Sequence, residues 1–186
     1  MAQTYSSART SINARHLPKV YGKIPAPARH SLLFDYGAGR YTVHIRDAFP
    51  GVVYCPFDPY NQPDDRNADT ATIVCNAMVR RVPVDVVCSN VLNVIDDDTE
   101  VAAIAKRIVI AVVRSGGTGY VTVYDGDRSG IGRQTGPDQY QRNQPLEAYL
   151  PLFQFPDVYH YYGKVYRAAA TIERGMIVVR CVEVKS

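Results

Sequence analysis

Apolar and polar positions change period several times along the chain, and these changes divide it into elements. Residues 1–28 are polar, with Pro18, Pro25 and Pro27 spaced through them, and read as an irregular arm. From Ser31 the pattern turns regular. Residues 31–36 (SLLFDY) form a short apolar run that stops at glycines, as a buried strand does. Residues 41–48 bring Val43, His44, Ile45 and Ala48 close to helical spacing, and Pro50 and Gly51 end that helix. Residues 52–57 read as a second strand, 61–69 (NQPDDRNAD) as a polar loop, 72–78 as a third strand and 84–89 (VDVVCS) as a further buried strand.

The strongest helical signal follows. Val101, Ile104, Ala105, Ile108, Val109 and Val112 fall on one stripe of residues 99–113, with capping and acidic residues at 96–99 and cations toward the far end. Residues 115–119 (SGGTG) stop it, and 120–124 (YVTVY) give the next strand. Residues 125–145 are a polar loop, long enough in a compact domain to expect a functional role. A short helix over 146–153 and two strands over 165–172 and 176–185, joined by a tight turn, complete the chain. Strands alternating with helices imply an α/β fold: an open, mainly parallel sheet flanked by helices, with the closing strand pair as an antiparallel edge.

Composition sharpens this picture in three places. The 186 residues suit one domain, here 31–186, behind an arm of about thirty. No apolar run approaches the roughly 18 residues of a membrane span, and the opening residues lack the apolar core of a secretory leader, so a cytoplasmic protein is expected. Cys55, Cys75, Cys88 and Cys181 lack metal-ligand or disulfide-framework spacing, so no metal is expected and the thiols read as small buried hydrophobes. Residues 1–34 carry five Lys or Arg and no acid, whereas the rest of the chain has a slight acidic excess. A basic arm of this kind suits an anionic partner such as nucleic acid or a merely solvated leader.

The chemistry concentrates at two strand ends. The first strand runs into Asp35-Tyr36-Gly37-Ala38-Gly39, and the second ends at Phe57-Asp58-Pro59-Tyr60. In an open α/β sheet, glycines after the first strand let the backbone turn sharply beside a ligand, and an acid after the second accepts ribose hydroxyls. A dinucleotide site needs a third glycine where this chain has Thr42, which disfavours an oxidoreductase. S-adenosylmethionine carries an ammonium group, a ribose and an adenine, with no pyrophosphate to cradle, and an acid at position 35 suits its ammonium.

On these residues the chain resembles class I S-adenosylmethionine-dependent methyltransferases. Asp35 to Gly39 looks like their first motif and Phe57 to Tyr60 like their ribose site. The segment 85–95 (DVVCSNVLNVI) looks like their fourth strand. The combination is similar to a group of methyltransferases of phages and bacteria that includes proteins associated with DNA phosphorothioation clusters. In that group, segments like Gly132-Arg133-Gln134-Thr135-Gly136 and Tyr140-Gln141-Arg142-Asn143 recur after the fifth strand.

The resemblance covers about residues 31–150. It implies a Rossmann-like fold, a host-cytoplasmic location if the chain is phage-encoded, and transfer of a methyl group to a nucleic acid or small molecule. It also implies that Asp35, Tyr36, Gly37 and Gly39 line the methionine moiety. Asp58 would take the ribose, with Pro59 and Tyr60 beside the adenosine. Asn76 would lie on the adenine side, and Ser89 and Asn90 would face the methyl group. The Asp-Pro-Pro-Tyr type tetrapeptide of amino-methylating DNA enzymes is absent, and Cys88-Ser89-Asn90-Val91 stands there.

For the acceptor, Arg133, Thr135, Tyr140, Gln141 and Arg142 give the long loop groups that suit a phosphate or a base. His16, His30, His44 and His160 are scattered and suggest no catalytic set. The alternative function is a non-catalytic protein of the same fold that binds the cofactor or a host partner.

Overall fold

The computed structural model describes residues 17–39, 42–136 and 139–185. Its centre is a seven-stranded sheet. Four strands come early in the chain: β1 (Leu32–Tyr36), β2 (Val53–Phe57), β3 (Val84–Ser89) and β4 (Thr118–Thr122). Three come late: β7 (Val158–Tyr161), β8 (Lys164–Glu173) and β9 (Met176–Val184). Between the two sets, β5 (Arg133–Gly136) and β6 (Gln139–Gln141) form a small antiparallel ribbon within the long loop.

The order across the large sheet is β2-β1-β3-β4-β9-β8-β7. The first four strands run parallel, and each later pairing is antiparallel. The fold is therefore α/β and Rossmann-like, with an antiparallel C-terminal part.

Every residue of β1 is buried, because it lies between two parallel neighbours and under layers on both faces. Alternate side chains feed two cores. Leu32, Phe34 and Tyr36 join the larger one, under α2 (Asp64–Arg80) and α3 (Asp98–Ser115). Leu33 joins the smaller one, covered by α1 (Thr42–Ala48) through Ile45 and by Val20, Tyr21 and Ile24 from the chain's beginning. The arm expected over 1–30 is thus part of the core from about Val20, and residues 1–16 lie outside the described residues.

The α3 stripe forms as its spacing predicts. Asp97 caps the helix by accepting the amide hydrogens of Thr99 and Glu100 at 2.8 and 3.4 Å, and Gly116 closes it in the left-handed region at φ 81°. Ile108 is fully buried on the stripe, and truncating it to Ala would cost about 2–5 kcal/mol.

One expected strand is a helix. Residues 72–78 and all of the expected 61–69 loop from Asp64 onward belong to α2. The run Thr70-Ala71-Thr72-Ile73-Val74, with four β-branched residues in five, reads as strand locally. The buried positions Asn67, Thr70, Val74 and Ala77 nevertheless recur every three or four residues, and Asp64 and Asp65 favour a helix start. The segment over Leu146–Phe153 is a 3₁₀ helix, and Pro151 within it has no amide hydrogen to give an α-helical ladder.

The helical α2 leaves β2 at the edge of the sheet. Pro56 offers no amide hydrogen there, and the Thr70 hydroxyl donates to the Pro56 carbonyl at 2.8 Å. Cys55 and Cys88 are buried, Cys181 is half-buried, and Cys75 is exposed on α2. Among the described residues, no helix is long and apolar enough to cross a membrane.

Candidate functional site

Strand order fixes where a ligand can enter. From β1 the chain crosses to β2 on one side and then to β3 on the other, so a crevice opens at the carboxyl ends of these strands. A cleft lies there. Tyr36 and Gly37 line it after β1, Asp58, Pro59 and Tyr60 after β2, and Ser89, Asn90 and Val91 after β3. Val94 and Ile95 from the next turn and Glu100 and Ile104 from α3 complete its wall.

The glycine turn is clasped from within the protein. The amide hydrogens of Gly37 and Ala38 both donate to the Phe57 carbonyl, at 2.7 and 3.1 Å. That of Gly39 donates to Asp58 Oδ2 at 2.8 Å. Gly37 has φ 81°, and a Cβ built on it would stand 2.2 Å from Val91 Cγ2. Glycine is required there both for its backbone and for the space it leaves. With all three amides occupied, the turn is not a cradle for phosphate oxygens.

Asp58 is buried and its carboxylate is fully subscribed. Oδ1 accepts the amide hydrogens of Tyr60 and Asn61 at 2.8 and 2.9 Å. Oδ2 accepts those of Gly39 at 2.8 Å and of the Asn61 side chain at 3.1 Å. Four donors match the four lone-pair positions of a carboxylate. Asn67 brackets the same residue, accepting from its amide hydrogen and donating to its carbonyl, each at 3.0 Å. A ribose hydroxyl at Asp58 would replace the side-chain amide of Asn61, the one of the four donors that is not backbone.

Among the described residues, the lining of the cleft includes Asp58 and Glu100 and no Lys, Arg or His. Burial raises the pKa of Tyr60, and the nearby charges of Asp58 and Glu100 raise it further. Burial also raises Tyr36, partly offset by Arg107. One nitrogen of Arg107 donates to the Tyr36 hydroxyl at 2.9 Å and to Glu100 Oε1 at 3.2 Å.

Seven of the ten residues expected at the cofactor thus meet in one cleft: Tyr36, Gly37, Asp58, Pro59, Tyr60, Ser89 and Asn90. Gly39 sits just behind it, bound to Asp58. Two residues lie elsewhere. Asp35 follows the alternation of β1 onto the opposite face, where the Tyr54 hydroxyl donates to its Oδ2 at 2.6 Å. Burial raises the Asp35 pKa to about 6, with the Tyr54 hydrogen bond pulling back; Tyr21 also lowers it, although its buried hydroxyl lies outside hydrogen-bond geometry. Asn76 is exposed on α2, because the segment that carries it is helical.

Ser89 accepts a hydrogen bond from the Thr122 hydroxyl at 3.0 Å, and Asn90 takes φ 57° while its amide hydrogen donates to the Thr122 carbonyl. The fold separates the five loop residues expected at an acceptor. Gln141 and Arg142 are buried latches. Gln141 accepts from the Asn93 side chain at 3.1 Å and donates to the Tyr124 carbonyl at 2.8 Å. Arg142 donates to the Ile95 carbonyl at 2.8 Å and pairs with Asp98. Together they pin the loop to the turn that lines the cleft. Arg133 and Thr135 are exposed and share an open recess with Tyr124 and Asp127. Tyr140 lays its hydroxyl over Gly132.

Glu100, Arg107 and Asn61 were not expected at the site. Glu100 and Arg107 read from sequence as ordinary charges suited to the two ends of a helix. The signal that could have found them is their separation of seven residues, two turns on one face of α3. Compared with known proteins, the chain matches no protein-family model and no curated protein.

Proposed function

We propose that this protein is an S-adenosylmethionine-dependent methyltransferase acting on a nucleic acid or small molecule. The observation that carries the reading is the character of the cleft. It lies at a strand crossover, is lined among the described residues by two carboxylates and no cation, and adjoins a glycine turn whose amides are already bonded. Such a site disfavours a polyanionic dinucleotide and favours an adenosyl compound bearing positive charge.

The residues present fit that group. Asp58, Pro59 and Tyr60 would hold the adenosine side, and Tyr36, Gly37, Ser89 and Asn90 the amino-acid side. Bound S-adenosylmethionine supplies an activated methyl group on its sulfonium, so the hard chemistry belongs to the cofactor. The chain's own work is to bind, orient and exclude water, and alignment of this kind contributes on the order of 7–11 kcal/mol to a transfer. Val91, Val94, Ile95 and Ile104 give the cleft its apolar wall. A general base is needed only for an acceptor that must lose a proton.

Calorimetric titration with S-adenosylmethionine, S-adenosylhomocysteine and NAD tests the reading, followed by transfer of labelled methyl to nucleic-acid and metabolite fractions. Binding of both adenosyl compounds in preference to NAD, with label in one fraction, is the expected result. Preference for NAD, or no binding of either adenosyl compound, overturns it. Tight binding without transfer to any fraction leaves a cofactor-binding protein and removes the enzyme.

A further inference from the structure

We propose that Glu100 is the carboxylate that takes the ammonium group of the adenosyl ligand, and that Arg107 is the internal cation it exchanges. The inference rests on the adenosyl reading of the cleft and assigns one group within it. Among the described residues, Asp35, Asp58 and Glu100 are the carboxylates to weigh at the crossover. Asp35 is on the far face of the sheet, bound by Tyr54. Asp58 faces the cleft with every acceptor position filled by the chain itself. Glu100 alone combines access with spare capacity: its carboxylate lines the cleft and is partnered by Arg107 through Oε1 at 3.2 Å.

The pair is built to exchange. The side chains of Arg107 and Glu100 are 56% and 39% exposed, and an ion pair this open to water is weak and easily exchanged. Arg107 has a second anchor in the Tyr36 hydroxyl at 2.9 Å, so it has a partner whether or not it holds Glu100. Glu100 lies in the first turn of α3, among the acidic residues at the helix start. An arriving ammonium replaces one cation with another, which leaves the net charge at Glu100 unchanged.

The test compares S-adenosylhomocysteine with 5′-methylthioadenosine, which shares its thioether and adenosyl group and lacks the amino-acid end. Calorimetry would be run on the wild-type chain, Glu100→Gln and Arg107→Met, with thermal unfolding to confirm that both variants fold. Glu100→Gln should weaken S-adenosylhomocysteine roughly tenfold or more, the worth of a charge-assisted hydrogen bond, and leave 5′-methylthioadenosine within about twofold. Arg107→Met should tighten S-adenosylhomocysteine by up to about fivefold at low salt, since it removes the competing cation. Unchanged affinity in Glu100→Gln overturns the proposal. Equal weakening of both compounds also overturns it, because Glu100 would then serve the adenosine half or the fold. A wild-type chain that binds neither compound defeats the adenosyl reading itself and takes the proposal with it.

Discussion

The amide hydrogen of Gly39 reaches Asp58 Oδ2 at 2.8 Å, which ties the turn after β1 to the turn after β2. One carboxylate thereby fixes two walls of the cleft. Asp58→Ala would leave the amide hydrogens of Gly39, Tyr60 and Asn61 without their acceptor. A buried donor left unpaired costs about 1–3 kcal/mol, so a loss of roughly 2–5 kcal/mol is expected. Urea unfolding measures it, and an unshifted midpoint would show that this carboxylate is not the clasp.

Gly37→Ala sets a methyl against Val91 and places a side chain in the left-handed region. A destabilisation of roughly 1–3 kcal/mol is expected, with loss of ligand binding. Adding Val91→Ala should return part of the binding by clearing the space, and the backbone strain should remain. If the double variant binds no better than Gly37→Ala, contact with Val91 is not what closes the cleft.

Asp35 gives stability a pH dependence of definite sign. Its pKa is raised to about 6 by burial, above the ordinary carboxyl value of 3.8. Below about pH 4 the group is protonated in both folded and unfolded chains, and it imposes no penalty. Between about pH 4 and 6 the unfolded chain loses its proton first, so stability falls as pH rises, by on the order of 3 kcal/mol in all. Asp35→Asn should flatten this part of the profile. Denaturant titrations at pH 5 and pH 8 that show the same slope in both proteins would disprove the assignment.

Arg142 holds the long loop from within. Its bond to the Ile95 carbonyl is buried, whereas Asp98, its ionic partner, is exposed. Arg142→Met should therefore cost about 2–4 kcal/mol and speed hydrogen exchange between residues 125 and 143, whereas Asp98→Asn should cost under about 1 kcal/mol. Similar effects from the two variants would place the anchor in the ion pair instead of the carbonyl contact.

How much of this was legible in the sequence follows from the range of each interaction. The α3 stripe, the turn-forming glycines and the acid at position 58 are local patterns, and they located the strand ends that build the cleft. The sheet order placed seven of the expected residues together. Three features escaped because they depend on tertiary contacts. Residues 72–78 look β-branched, yet Val74 and Ala77 are buried only as parts of a helix. Alternation along β1 puts Asp35 on the face of Leu33, and the packing of α2 and α3 over Leu32, Phe34 and Tyr36 decides that the cleft opens on the other face. Gln141 and Arg142 look like loop groups suited to a ligand, but their partners are Asn93, Ile95 and Asp98, more than forty residues earlier.

The blunted border of the sheet at Pro56 has a consequence for self-association. A strand from another molecule that docked alongside β2 would find a missing donor at Pro56 and its carbonyl already engaged by Thr70. The parallel end of the sheet is therefore a poorer template for runaway β-stacking than an unbroken edge strand would be.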